Sequence, residues 1–255
     1  MLINASYVTT TGKVRKNNED SILLNETLTR RNMSRVASVK SEGDRLVFMV
    51  ADGMGGHTKG ELASNAVLTV FKERYKELDT AANIHNAIRL AKETLNRLAE
   101  KDPGSLGLGT TIAGMVFSDT SAFLINCGDS RVYEAKGPLR KITKDHSLVQ
   151  ELVDDGTITE QDMRTHPQKN IVTSAVIGDL TSSPPRYSLE ELSVKKGQRF
   201  LLCSDGLWES VSQPDMAECL GLGDIKAGVE CLLRHALDAG ASDNVSIILL
   251  EVAEL

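Results

Sequence analysis

Two unbroken apolar runs, Leu46-Val47-Phe48-Met49-Val50-Ala51 and Phe200-Leu201-Leu202-Cys203, each lead into an aspartate followed by glycine, Asp52-Gly53 and Asp205-Gly206. A half-buried strand alternates apolar and polar residues, so runs of this kind belong inside a sheet. Ile3 to Thr10, Arg199 to Ser204 and Val245 to Val252 read as further strands. Between Ala51 and the middle of the chain two helical patterns occur. In the first, Leu62, Ala66, Val70 and Phe71 share a face opposite Lys72, Glu73 and Lys76. In the second, Ile84, Ala87, Ile88, Ala91, Leu95 and Leu98 recur at helical spacing until Asp102-Pro103-Gly104 stops them. Four strand candidates follow, at Thr110 to Phe117, Ala122 to Asn126, Arg131 to Ala135 and Leu139 to Ile142. Their close spacing favours antiparallel hairpins over strand–helix–strand crossovers. From His146 to Gly178 short, charge-rich helical pieces replace strands, as in an excursion from a sheet core. Further helices are expected near Asp215 to Leu220 and Ile225 to Leu237. The order implies an α+β fold with two sheets and helices outside. Thr29 to Arg45 carries Arg30, Arg31, Arg35, Lys40 and Arg45 with little apolar surface, and is expected to form a mobile hairpin tip or loop.

The chain has 255 residues, 41% hydrophobic and 25% charged, which suits one large globular domain or two small ones. A core of that size needs neither a disulfide nor a structural metal to fold. Twenty-nine Lys and Arg against 35 Asp and Glu leave a net charge of −6, which excludes a generally basic nucleic-acid binder. No apolar run is long enough to span a membrane, and Met1-Leu2-Ile3-Asn4 lacks the plan of a signal peptide, so a cytoplasmic protein is expected. Cys127, Cys203, Cys219 and Cys231 form no C-x-x-C pair and no zinc-ligand spacing. Cys127 and Cys203 lie in apolar runs, where a thiol acts as a small core residue.

The placement of the acids carries the chemistry. Besides Asp52 and Asp205, Asp129 follows a strand within Asn126-Cys127-Gly128-Asp129-Ser130-Arg131, and Asp243 opens the last strand as Ser242-Asp243-Asn244. Glu19 and Asp20 close Arg15-Lys16-Asn17-Asn18-Glu19-Asp20. One Asp-Gly after a strand is simply a turn. Several ionised carboxylates brought together at the ends of apolar strands are costly to desolvate and repel one another, and cations resolve both problems. Oxygen donors without accompanying His or Cys select Mg²⁺ or Mn²⁺ over zinc or copper.

At these residues the chain resembles the metal-dependent Ser/Thr protein phosphatases of type 2C, the PPM family, in their bacterial single-domain form. The resemblance rests on Arg15-x-x-Asn18-Glu19-Asp20, Asp52-Gly53-Met54-Gly55-Gly56-His57 and Gly109-Thr110-Thr111. It continues through Gly128-Asp129-Ser130-Arg131, Asp145-His146-Ser147, Ser204-Asp205-Gly206-Leu207-Trp208 and Ser242-Asp243-Asn244, in family order over nearly the whole chain. It implies a four-layer α-β-β-α sandwich of two mainly antiparallel sheets, one catalytic domain over residues 1–255 with a flap at about 146–178. It also implies two Mn²⁺ or Mg²⁺ ions, bridged by Asp52 and held by the Gly53 carbonyl, Asp205 and Asp243. Glu19 and Asp20 would act through metal-bound waters, Asp129 would hold a third ion, and Arg15 would grip the substrate phosphate. The implied reaction is hydrolysis of phosphoserine or phosphothreonine by a metal-activated water, reversing a bacterial Ser/Thr kinase. Expected partners are phosphorylated proteins, including that kinase, with no nucleic acid or membrane, and the chain is expected to be a monomer.

Two residues depart from the family pattern: Met54 stands where many eukaryotic members have His, and Ser174 where many bacterial ones have Arg. His57, His146 and His166 read as hydrogen-bonded structural groups, and Trp208, Met49 and Met115 as core. Signatures of covalent phosphatases are missing: the string holds no Asp-x-Asp, and no cysteine has an arginine six positions on. The rival readings are a non-catalytic phosphoprotein binder and a phosphatase for a small phosphate ester. Removing the charge of Asp243 is expected to abolish activity yet stabilise the metal-free protein. Ser34 and Ser38, in the basic stretch, resemble sites for a basophilic kinase.

Overall fold

The computed structural model describes residues 1–55, 59–135 and 138–255, so His57 lies outside the described residues. The chain begins with strands β1 (Leu2–Thr10), β2 (Ser21–Leu24), β3 (Thr27–Thr29), β4 (Ala37–Glu42), β5 (Arg45–Ala51) and β6 (Gly53–Met54). Helices α1 (Lys59–Arg74) and α2 (Ala81–Lys101) follow, then β7 (Gly109–Thr110), β8 (Ile112–Ser118), β9 (Ser121–Cys127), β10 (Arg131–Glu134) and β11 (Arg140–Lys141). The remainder comprises α3 (Leu148–Asp154), β12 (Val176–Ile177), β13 (Ser188–Ser193), β14 (Arg199–Cys203), α4 (Asp205–Trp208), α5 (Gln213–Leu220), α6 (Ile225–Asp238) and β15 (Val245–Glu254).

Two six-stranded antiparallel sheets result, ordered β11-β10-β14-β15-β1-β4 and β13-β9-β8-β5-β2-β3, with a small β12-β7-β6 sheet beside them. The apolar runs explain how they stack. Along β5, Val47, Met49 and Ala51 pack with Ala63, Val67 and Phe71 of α1 and Ile84, Ile88 and Leu95 of α2. Leu46, Phe48 and Val50 point the other way, into a layer shared with Phe200 and Leu202 of β14 and Ile248 and Leu250 of β15. Leu201, Cys203, Ile247 and Leu249 turn outward to Met216 of α5 and Val229 and Leu232 of α6. Each run therefore serves two cores, and the layers read helix, sheet, sheet, helix. Between the sheets Phe117 lies edge-on to both Phe48 and Phe200, with ring centroids 6.0 Å apart in each case.

Several expectations change. Leu62 is 39% exposed, and the buried stripe of α1 is Ala63, Val67, Leu68, Val70 and Phe71, because the helix begins at Lys59 and presents that face to β5. The strand expected at Thr110 to Phe117 is broken at Thr111, whose backbone is diverted to Asp52. The basic stretch is not a free loop: Ala37–Glu42 pairs with β1, Ala37 opposite Tyr7 and Glu42 opposite Leu2. Main-chain hydrogen bonds hold this edge strand while its side chains stay largely exposed, a charged edge that discourages pairing with other chains. Ser38 lies within it, its hydroxyl 2.8 Å from that of Ser6, whereas Ser34 precedes it and is exposed. Cys219 and Cys231 are joined by a disulfide between α5 and α6, while Cys127 and Cys203 are free and buried, as expected. No helix among the described residues is long and apolar enough to cross a membrane.

Candidate metal centre

Strand register gathers the acids. In one sheet Ala51, the last residue of β5, lies opposite Ser21, the first of β2, and Val50 lies opposite Ala113 of β8. Ile112 lies opposite Cys127, the last residue of β9. Asp52, Glu19–Asp20 and Gly128–Asp129 therefore leave one end of this sheet. In the other sheet Cys203 lies opposite Ile247, and Val245 opposite Thr10. Asp205, Asp243 and the segment leading to Arg15 leave the matching end. Between them opens a cleft of about 460 Å³ lined by Arg15, Glu19, Asp52, Gly53, Asp129, Asp205 and Asp243, with Met54 and Thr111. Asn170 and Val172, from the 146–178 excursion, complete its wall. Asp20 does not line the cleft; it is fully buried behind it.

Hydrogen bonds fix the acids. The Asp52 carbonyl accepts from the Thr111 amide at 2.9 Å and the Thr110 hydroxyl at 2.8 Å, and its amide donates to Thr111 Oγ1 at 3.2 Å. Thr111 Oγ1 also meets Ser130 Oγ at 2.7 Å, which ties the Asp52 turn to the Asp129 turn. Trp208 Nε1 donates to the Asp129 carbonyl at 3.0 Å. Ser204 Oγ donates to Asp20 Oδ2 at 2.8 Å. Asn244 accepts from the Glu19 amide at 2.8 Å and donates to the carbonyls of Thr11 and Asn17, clasping the segment that carries Arg15. Two glycines permit this packing: a Cβ on Gly53 would meet the Gly60 carbonyl oxygen at 2.1 Å, and one on Gly206 the Asn244 carbonyl oxygen at 2.0 Å.

Electrostatically the cleft is short of positive charge. Burial, then the fields of Asp205 and Asp20, push the Asp52 carboxyl well above its ordinary range. Burial, then Asp129 and Asp243, do the same to Asp205. Burial raises Asp20 to about 7 despite bonds from serines, and raises Asp129 to about 6, with Asp145 adding to the effect. Arg15 is one compensating cation, beside Lys16 in the cleft wall, and here it pairs with Asp243, Nη2 to Oδ2 at 2.7 Å, rather than standing open for a ligand. Asp20 Oδ1 is buried without a hydrogen-bond partner. An all-oxygen donor set, an orphaned buried carboxylate oxygen and acids that repel one another fit hard divalent cations.

A pH dependence follows for protein kept in EDTA. Carboxyls raised by folding contribute stability that is fully present below the unfolded value of about 3.9 and is lost as pH rises through the folded values. For Asp129 and Asp20 those values are about 6 and about 7. The melting temperature of the metal-free protein should therefore be lower near pH 8 than near pH 5 (about). Asp102, held at about 2 chiefly by its bond from Lys59, titrates below this window. A melting temperature that climbs across the window would contradict a shared burial of these acids.

Sequence reasoning placed Arg15, Glu19, Asp20, Asp52, Gly53, Asp129, Asp205 and Asp243 together; all but the buried Asp20 line the cleft. It gave no role to Thr110, Thr111, Ser204 or Asn244, although each lies within a quoted motif. It read Trp208 as core only, and its indole also braces Asp129. His146 and His166 are structural, each Nδ1 accepting a backbone amide, from Gly128 and Gln168, at 3.1 Å. Ser174 donates to the Arg186 carbonyl at 2.7 Å, and the Arg186 side chain spans Glu151 and Thr173.

Residues 32–223 match the family profile described as protein phosphatase 2C, and the chain belongs to that family. It is 33% identical over 247 residues to the serine/threonine protein phosphatase PstP of Mycobacterium tuberculosis H37Rv, covering 95% of this chain and 44% of PstP. The chain thus spans less than half the length of that relative. It is also 30% identical over 260 residues to protein phosphatase PhpP of Streptococcus pneumoniae D39, covering 98% and 97% of the two chains. The crystal structure of the M. tuberculosis phosphatase PstP/Ppp superposes with a TM-score of 0.85 at 31% identity, over 100% of both chains. A catalytic domain of PstP in complex with two manganese ions superposes with a TM-score of 0.80 at 29% identity, again over 100% of both.

Proposed function

We propose that the chain is a Mn²⁺- or Mg²⁺-dependent protein serine/threonine phosphatase. The observation that carries this reading is the convergence of Asp52, Asp129, Asp205 and Asp243 in one cleft with Arg15 at its side. Asp52, the Gly53 carbonyl, Asp205 and Asp243 would hold two divalent ions and Asp129 a third, ions that when bound lower the pKa of water and neutralise charge building on phosphate. The two manganese ions in the PstP structure support a two-ion centre here.

This chain's own groups then act as follows. Arg15 leaves Asp243 and presents its fork to two phosphate oxygens, orienting the ester and neutralising it. Asn244 keeps the Arg15 segment in reach through its bonds to Thr11 and Asn17. Asp20 and Glu19 orient water from behind and beside the cleft. Met54, in the cleft wall, has no proton to give the departing alkoxide. We take residues 1–255 as one catalytic domain and 146–178 as its flap, where Asn170 and Val172 meet the substrate. Phosphorylated proteins, a cognate kinase among them, are the substrates this reading assigns.

Phosphate release from a phosphothreonine peptide tests it, measured with Mn²⁺, with EDTA, and with Arg15→Ala. Release is expected with Mn²⁺ alone, and Arg15→Ala should lower kcat/KM by about 10²-fold or more through the lost bidentate contact. No release with any divalent ion would favour a non-catalytic binder. Release from p-nitrophenyl phosphate but from no phosphopeptide would favour a small-ester phosphatase.

A further inference from the structure

A second group of metal-ligating side chains lies away from the cleft. Sγ of Cys219, near the end of α5, Sγ of Cys231 and a ring nitrogen of His235, both on α6, all lie within 4.8 Å of one another. Cys231 and His235 are four residues apart, so they project from one face of α6 toward the neighbouring helix. The two cysteines are buried and the histidine is half-buried, which leaves one side of the group facing solvent. The sulfurs are bonded to each other here, with Cα atoms 5.5 Å apart. Two thiolates on one tetrahedral zinc sit about 3.8 Å apart, near the contact distance of unbonded sulfurs, so this backbone spacing admits either state.

We propose that Cys219, Cys231 and His235 form a site for a thiophilic divalent cation, of which zinc is the type, in the reduced protein. The site and the disulfide exclude each other. A dithiol reductant supplies two electrons and two protons to the Cys219–Cys231 bond and is itself oxidised to its disulfide. The cation then displaces the two thiol protons to solvent and takes a neutral His235 nitrogen as third ligand, with a water in the open fourth position. The donors are soft sulfur and imidazole, in contrast to the oxygen-only cleft, so the two sites select different metals. The disulfide thus decides whether the α5–α6 pair is closed by a covalent bond or by an ion.

Cobalt(II) titration of the full chain is the test, followed by absorption spectroscopy with excess Mg²⁺ present to occupy oxygen sites. Reduced protein should develop the near-ultraviolet thiolate-to-cobalt charge-transfer band, and protein never reduced should not. Added Zn²⁺ should abolish the band. His235→Gln, a surface-facing change that leaves both thiols, should weaken cobalt binding by more than about tenfold. Absence of the band in reduced wild-type protein would overturn the proposal. So would a band unchanged in His235→Gln, or one that survives in folded Cys231→Ser, which would place the metal on other thiols.

Discussion

Asp205→Asn should cut phosphatase activity by at least about a hundredfold, more than the usual loss of a group that merely orients a ligand, while raising the melting temperature of the metal-free protein. The opposite signs come from one cause. Asp205 is half-buried in the cleft wall, where burial and the charges of Asp129 and Asp243 all disfavour its ionised form, so its charge is a liability until a cation arrives. Asparagine keeps the shape and a carbonyl oxygen but removes that charge. In a chain of this size a gain of about 1 kcal/mol raises the midpoint by about 2–4 °C, and the rise should be at least that. The structure moves this effect from Asp243, where the sequence placed it, because Arg15 already compensates Asp243. That pair is partly exposed, so Asp243→Asn trades modest repulsion for a modest ion pair and should leave the metal-free midpoint nearly unchanged. Scanning calorimetry in EDTA decides the matter. A midpoint that stays level or falls for Asp205→Asn would mean that these acids do not share one field.

Asp145→Ala should be the most destabilising single change outside the apolar layers, by about 3–5 kcal/mol, because it strands a buried cation. Asp145 accepts three bonds from Arg131, at 2.6, 3.0 and 3.1 Å, and its side chain is 1% exposed. Arg131 also donates to the Tyr133 hydroxyl at 3.2 Å and lies 3.5 Å over the Trp208 ring. Removing the carboxylate leaves the guanidinium, among the described residues, with the tyrosine hydroxyl and the ring face as its direct contacts. The midpoint should fall by about 6–20 °C, and urea unfolding should give the same free energy within error. The double change Arg131→Met with Asp145→Leu should recover part of the loss, since it removes the stranded guanidinium, while Lys141, 3.4 Å from Asp145, still loses its partner. Equal losses in the single and double variants would show that packing, not the stranded cation, carries the effect. Trp208 bonds the Asp129 carbonyl, so Asp145→Ala should also loosen the Asp129 side of the cleft.

The acids were legible in the sequence because desolvation restricts where a carboxylate can follow an apolar strand, and glycine marks where backbones crowd. The central strands were legible for the same reason: Leu46 to Ala51 is buried on both faces, and the string says so. Strands held mainly by main-chain bonds left no such trace. Ala37–Glu42 and Ser188–Ser193 are edge strands with a single buried side chain between them, paired to Tyr7–Leu2 and Asn126–Ser121 through the backbone. Ser21–Leu24 was too short to show a period. The Cys219–Cys231 bond depends on how α5 packs on α6, which residues 12 apart in sequence cannot reveal. Thr111 acts through hydrogen bonds between neighbouring turns of one sheet, and Ser204 and Asn244 through bonds across the sandwich; a polar residue in a motif does not announce its partner.

The two sheets contribute different halves of the acid set. Asp52, Glu19, Asp20 and Asp129 leave one sheet, and Asp205, Asp243 and the Arg15 segment leave the other. The gap between the halves is therefore a thickness, set by the side chains clamped between the sheets from Val50, Ala113 and Ile248 to Phe48, Phe117 and Phe200. Those residues are the gauge blocks of the cleft: none touches a phosphate, yet their bulk fixes how far apart the two jaws stand.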